Sequence, residues 1–438
     1  MTPFLDEIRW RGLLAQTTSD AIPAYLHGGS RVAYAGFDPT ADSLTIGNLI
    51  PMMMLAHFQR CGHKPIALMG GGTGLIGDPS GKSAERQLQT FEQVQAKVDA
   101  IGNVFARVLD FSGPRGAVLL NNAEWLRKLS FIDVLRDVGK HFSVNMMIQK
   151  ESVAARLNTR EQGISYTEFS YMILQAYDYL HLYRNHGCTI QMGGSDQFGN
   201  IVAGIDLIRR TEAQGAGSGT GGGEQADAHA FGITAPLVTK ADGGKIGKTE
   251  SGTIWLSAHR TSPYAFYQFW LNASDGDVRN FLRWYTFLSR EEIEALDHAV
   301  ATNPGAREAQ RTLAREVVRI HHGASELAKA EAAANALFSG DIRSLDGAML
   351  REVFAEVPRS THSLPSLDGD GASLLELLPQ TTLASSKREA REFLQNGAVF
   401  VNGEKVGLDR SLRRGDLLGD GLILLRRGKK QWHATEWR

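Results

Sequence analysis

Three stretches of different periodicity predict an α/β chain in three parts. Over residues 32–240, short apolar runs alternate with helical patterns, which implies βαβ units and a doubly wound parallel sheet. Residues 263–338 are helical throughout, rich in Ala, Glu, Arg and Leu, and predict an all-helical domain. Residues 372–438 mix one helix with short strands and predict a small α+β domain. The expected boundaries are 1–240 for the sheet domain, 241–357 for a lysine-bearing loop and the helices, 358–371 for a linker rich in Pro, Ser, Thr, Gly and Asp, and 372–438 for the last block. With 438 residues, 42% of them hydrophobic, each part can bury a core.

The elements follow in order. Arg31–Ala35 reads as a strand, and Leu49–Arg60 as a helix closed by Gly62. Lys64–Met69 is a second strand, followed at once by Gly70-Gly71-Gly72-Thr73-Gly74. Gly116–Leu120 and Cys188–Met192 are further strands, and Phe198–Arg210 a further helix. Ligands of such sheets bind beyond the carboxyl ends of the strands, where the loops at Gly36, Gly70 and Gly193 fall. The run Gly215–Gly223 has no strand before it and no helical pattern directly after it, so it reads as a surface insertion without chemistry. In the last block a helix starts near Ser385-Ser386-Lys387-Arg388 and strands follow around Ala398–Val401.

Composition narrows the function. No apolar run approaches the roughly 18 residues of a membrane span. The N-terminus lacks a basic and an apolar region, so no signal peptide is expected and the compartment is expected to be the cytoplasm. Cys61 and Cys188 stand alone, which argues against a disulfide framework and a zinc site. The formal net charge of −1 hides an asymmetry. Residues 385–438 carry twelve Lys/Arg against seven Asp/Glu, a net of +5, leaving about −6 for the rest. A basic tail on a mildly acidic body points to nucleic acid.

Two segments carry the chemistry. Gly36-Phe37-Asp38-Pro39-Thr40-Ala41-Asp42-Ser43-Leu44-Thr45-Ile46-Gly47-Asn48 follows a strand and opens a helix, and Lys245-Ile246-Gly247-Lys248-Thr249 is a loop with two lysines. A triphosphate held between a helix N-terminus and two ammonium groups is set up for attack at its α-phosphate, because negative charge builds on the departing pyrophosphate. Taken alone, the first segment reads equally as a strand–turn–helix with Asp38 or Thr40 as cap. Lys82 and Arg86 form a second basic pair after the glycine turn; isolated, they would be solvated surface charges. Asp196, two residues beyond Gly193-Gly194, can accept from ribose hydroxyls or cap the next helix. Tyr171, Gln175 and Asp178 are spaced i, i+4, i+7 and share one helix face.

These segments, with Gly74–Lys82, Gly193–Asn200 and Tyr166–Tyr179, resemble the bacterial tyrosyl-tRNA synthetases, class I enzymes with a Rossmann-like catalytic domain. Ser385–Arg391 and Asn396–Gly403 resemble the S4 RNA-binding module. The resemblance runs from about Tyr34 to the C-terminus. It implies a tyrosine–tRNA ligase with L-tyrosine, ATP and tRNA(Tyr) as substrates, Mg²⁺ entering with ATP, and no protein-bound metal. Thr40, Thr45, Lys82, Arg86, Lys245, Lys248 and Thr249 would stabilise the pyrophosphate. Gly36, Asp38, Gly47, Asn48, Gly194, Asp196 and Lys248 would hold ATP. Tyr34 and Asp178 would bind the phenol; Asp78, Tyr171, Gln175 and Gln197 would complete the tyrosine site. Lys387, Arg388 and Arg391 would contact RNA, with Arg426-Arg427-Gly428-Lys429-Lys430 as a second basic cluster. A homodimer, with a dimerisation segment inserted at about 125–180 and one tRNA spanning both subunits, is also implied. The chain departs from the family's His-Ile-Gly-His motif, having Thr45-Ile46-Gly47-Asn48. Two alternatives are a tryptophanyl-tRNA synthetase, against which Tyr34 and Asp178 argue, and a catalytically weak RNA-binding paralogue.

Overall fold

A computed structural model describes residues 3–78, 89–150, 153–154, 164–216, 229–241, 243–244, 246–249, 252–339, 342–355, 357–428 and 431–438. They form two compact units, one of 1–262 with 269–322, the other of 263–268 with 323–438.

The first unit is built on six strands: β1 Gln16–Thr17, β2 Val32–Phe37, β3 Lys64–Met69, β4 Val118–Asn121, β5 Cys188–Gly194 and β6 Phe231–Ala235. Their order is β1-β6-β5-β2-β3-β4, all parallel except β1, which runs antiparallel to β6. The alternation of apolar runs and helices therefore does give a doubly wound sheet, and β1 and β6 are the strands not read from sequence. The chain turns to one side after β2 and to the other at β5, so their carboxyl ends open the crevice expected of a switch point. The Leu49–Arg60 helix is buried on nearly every side, as its apolar sequence requires. The Tyr166–His186 helix starts at Ser165, whose hydroxyl accepts from the Glu168 N–H, and stops at left-handed Gly187 (φ 61°). It packs along the Phe198–Ala216 helix and delivers residues 171–178 to the crevice.

The helices Asp275–Tyr285, Arg290–Thr302 and Glu308–His322 belong to this unit and not to a separate domain starting at 241. The reason is packing: the first of them lies on Leu49–Arg60, and buried Arg11 binds the carbonyls at its end.

The second unit holds a five-stranded sheet, order β9-β8-β10-β11-β7, with β7 Arg359–His362, β8 Val399–Val401, β9 Glu404–Lys405, β10 Leu422–Arg427 and β11 Gln431–Trp437. The linker expected over 358–371 is thus corrected. Arg359–His362 pairs in parallel with Ala434–Trp437 and forms the sheet's edge. Backbone pairing with a strand some seventy residues away stabilises a polar stretch that has no strand pattern of its own. The Lys387–Gln395 helix, capped by Ser386, buries Ala390 and Leu394 against this sheet.

Candidate active site

Residues that end β2 and residues of the Tyr166–His186 helix meet around four polar groups. Tyr34, on β2, is 1% exposed, and among the described residues its hydroxyl has no hydrogen-bond partner. A buried orphan phenol is a position that an incoming ligand can satisfy. Burial first, then the nearby Asp178 charge, pushes its pKa well above the usual tyrosine value. Asp178 is 2% exposed and accepts from Trp125 Nε1 at 2.7 Å and Asn122 Nδ2 at 2.8 Å. Burial raises its pKa to about 7; those two bonds oppose the rise and the charge of Asp38 adds to it. Each oxygen keeps an acceptor site beyond its N–H donor.

Tyr171 stands among carboxylates. Its hydroxyl donates to Asp38 Oδ2 at 3.0 Å, and burial followed by the charges of Asp38, Asp78 and Asp178 pushes its pKa far up. The other Asp38 oxygen accepts from Thr73 Oγ1 at 2.8 Å. Gly70 is required here, since a Cβ on it would lie 2.1 Å from that oxygen. An amide relay runs beside them. Asn200 Nδ2 donates to Gln175 Oε1 (2.9 Å), Gln175 Nε2 to Gln197 Oε1 (3.2 Å), and Gln197 Nε2 to Asp78 Oδ2 (2.7 Å). Asp38 and Asp78, both acting on Tyr171, suit a cationic amino group.

The side of the crevice lined by Gly36, Gly47 and Gly194 is more open. Gly36 is exposed, with no atom within 4 Å of a Cβ built on it. Gly194 precedes the turn Ser195–Gln197, and Asp196 is exposed at its centre. In the first motif, Thr45 and Asn48 bind each other. The Asn48 carbonyl oxygen accepts from the Thr45 N–H and from the Thr45 hydroxyl, each at 3.0 Å, and this closes the turn before the Leu49–Arg60 helix. Thr45 therefore directs its hydroxyl to Asn48. Gly47 is exposed within the turn, and the Thr40 side chain is exposed as well. The lysine loop lies against this turn. Ile254 N–H donates to Gly247 O, Ile46 N–H to Ile254 O, and Leu256 N–H to Leu44 O. Gly247 has φ +81°, and a Cβ there would sit 3.1 Å from the Ile46 Cβ, so glycine permits the approach. Lys248-Thr249 pairs with Gly252-Thr253 as a two-stranded ribbon. Lys82, Arg86 and Lys245 lie outside the described residues, as do the side chains of Lys248 and Thr249.

On the second unit, Lys387, Arg388 and Arg391 are exposed on one helix, with Lys387 paired to Glu376. The second basic cluster is built differently from the expectation. Arg426 is 7% exposed, its guanidinium held between Phe400 (4.2 Å) and Trp432 (5.1 Å), directly across the sheet from each. Arg427 donates to Leu383 O and covers Phe393. Lys429 and Lys430 lie outside the described residues.

A family model for class I tRNA synthetases of the W and Y type matches residues 28–339, and one for the tyrosine–tRNA ligase C-terminal domain matches 350–435. The tyrosine–tRNA ligase of Roseiflexus castenholzii is 51% identical over 99% of both chains, and that of Bacillus caldotenax 50% over the same shares. The chain belongs to the tyrosyl-tRNA synthetases. Among solved structures, the C-terminally truncated mitochondrial tyrosyl-tRNA synthetase of Aspergillus nidulans is 29% identical, with a TM-score of 0.68 over 77% of this chain and 95% of that one. Sequence reading of this synthetase missed Thr73, Asn122, Trp125 and Asn200. Asn122 and Trp125 lie more than fifty positions from Asp178, and no local pattern marks them.

Proposed function

We propose that these residues carry out the two steps of tyrosine–tRNA ligation, the activity of the family. The tyrosine carboxylate attacks the α-phosphate of ATP, pyrophosphate leaves, and a terminal ribose hydroxyl of tRNA(Tyr) then takes the tyrosyl group. Tyr34 and Asp178 bind the phenol as donor and acceptor. Asp78, Gln175 and Gln197, with Tyr171 held by Asp38, surround the amino group. Gly36, Gly47, Asn48, Gly194 and Asp196 border the adenosine side. Thr40, Lys82, Arg86, Lys245, Lys248 and Thr249 stabilise the leaving pyrophosphate, with Thr45 shaping the turn that faces it. Mg²⁺ enters with ATP and neutralises its charge; among the described residues no cluster of three His, Cys, Asp or Glu offers a protein-held metal site. No described helix is long and apolar enough to cross a membrane, and the reaction is assigned to the cytoplasm.

The observation that carries this reading is the buried Tyr34 hydroxyl, without a partner among the described residues, beside a buried Asp178. A side chain without a hydroxyl leaves Tyr34 unsatisfied and the remaining acceptor sites of Asp178 unfilled, which costs free energy. ATP–pyrophosphate exchange should accordingly run with tyrosine and not with tryptophan or phenylalanine. In the same preparation, Arg388→Glu with Arg391→Glu should leave exchange at the parental level. It should weaken tRNA binding and flatten its salt dependence by up to about two phosphate contacts. An unchanged salt slope would remove this helix from the RNA surface.

A homodimer follows from a different observation. Phe131, Ile132, Val144, Met146 and Tyr166 are each more than half exposed, within the segment expected to dimerise. Apolar exposure on that scale marks an interface. Sedimentation equilibrium should return twice the chain mass, and Ile132→Asp should shift the particle toward monomer. A monomeric parent would defeat the assignment.

A further inference from the structure

We propose that Lys97 is a positioning residue for pyrophosphate departure, acting through the Thr40 turn; the inference rests on the reading that Thr40 faces the triphosphate. Lys97 lies on the Phe91–Phe105 helix, which is fixed at its start by the Thr90/Gln93 capping box and along its length by buried Val94, Val98, Ile101, Val104 and Phe105. The residue is half-buried, and its ammonium group donates to Thr40 O at 3.3 Å and to Gln89 Oε1 at 2.5 Å. One cation thus ties the Thr40 turn to the first described residue after the segment that carries Lys82 and Arg86.

The turn is held from both sides. Thr73 and Tyr171 fix the Asp38 carboxylate, and Thr40 N–H donates to Asp38 O at 2.9 Å. Lys97 then holds the carbonyl of Thr40, and so the backbone from which its exposed side chain projects. The charge matters as well as the bond. Arg11, Arg184 and Arg260 of the same unit face Glu7, Glu212 and Asp42. Among the described residues Lys97 has only neutral acceptors and no carboxylate partner. An ammonium has three N–H donors, and described residues take two of them. In the first motif, Thr45 and Asn48 bind each other and supply no cation. A positive charge on a rigid helix behind Thr40 attracts the leaving group more as its charge grows, which lowers the barrier without tightening ATP binding equally. An ordinary surface lysine would do neither.

The test is single-turnover tyrosyl-adenylate formation in the full chain, for Lys97→Gln, Lys97→Arg, Thr40→Ala and the Lys97→Gln/Thr40→Ala pair. Lys97→Gln should slow the step by roughly tenfold, the loss of one charged contact. Tyrosine affinity and melting temperature should stay at parental values, and Lys97→Arg should recover most of the rate. On the Thr40→Ala background, Lys97→Gln should cost less than about twofold, because coupled residues are not additive. A parental rate for Lys97→Gln, or equal slowing on both backgrounds, would overturn the role of Lys97. A parental rate for Thr40→Ala would remove the reading of the triphosphate site itself, and the proposal with it.

Discussion

Asp178→Asn should lower kcat/KM for tyrosine by about 3 kcal/mol, on the order of a hundredfold, with ATP affinity nearly unchanged. The parent presents a carboxylate to a phenol hydroxyl. The amide keeps the shape but removes the charge, and its NH₂ must face Trp125 Nε1 or Asn122 Nδ2, both already donors. Preference over phenylalanine should shrink with it, since the charge-assisted bond that only a phenol hydroxyl can make is gone. The same group sets a pH dependence. Its pKa is raised from 3.8 to about 7, chiefly by burial, and a phenol donor binds the ionised form. Below pH 7 the carboxyl of the free enzyme is increasingly protonated and must ionise before tyrosine binds. Tyrosine affinity should therefore fall as pH drops through 7, by up to about tenfold per unit, and level off above it. Asp178→Asn should abolish that slope. Equilibrium binding of tyrosine between pH 6 and 8 measures both; a flat parental profile would mean that Asp178 is not the acceptor.

Arg11→Met should destabilise the first unit by roughly 3–5 kcal/mol, the range for removing one partner of a buried ionic network. Arg11 is 2% exposed. Its guanidinium donates to Glu7 Oε1 (2.6 Å), Arg283 O (2.9 Å), Thr286 O (3.0 Å) and Leu288 O (2.7 Å). The carbonyls of Arg283 and Thr286 end the Asp275–Tyr285 helix, where carbonyls lack partners within the helix and the dipole is negative. One planar fork caps that helix and holds it on the N-terminal segment. Methionine would take this donor from Glu7 and from the Arg283, Thr286 and Leu288 carbonyls. Arg11→Lys should recover only part of the loss, because a point ammonium cannot span the fork. The urea midpoint of each variant is the measurement. A midpoint equal to the parent's would show that other contacts hold the helix.

Legibility differed sharply between elements. The strands at 32–37, 64–69 and 188–194 could be read because each is an apolar run between turn residues, a signal contained in the segment. Tyr171, Gln175 and Asp178 could be grouped because helical spacing alone puts them on one face. Their partners could not. Gln175 meets Gln197, Tyr171 meets Asp38, and neither distance is encoded locally. Arg426 misled for a related reason: in sequence it stands with other cations, yet cross-strand register places it between two aromatic rings, where the face of each ring attracts the cation.

By itself, the sequence determined the class of fold and the family, and it named the groups proposed to bind a phenol, an amino group and a triphosphate. All of these rest on periodicity or on short contiguous motifs. Only the tertiary structure decided which of those groups touch. It turned Arg359–His362 from linker to strand, placed three helices with the sheet unit, closed the Thr45–Asn48 cap, and set Trp125, Asn122 and Lys97 beside residues that they do not neighbour in the chain. Such contacts depend on how separate elements pack, and packing is a property of the assembled fold, with no counterpart in any one segment.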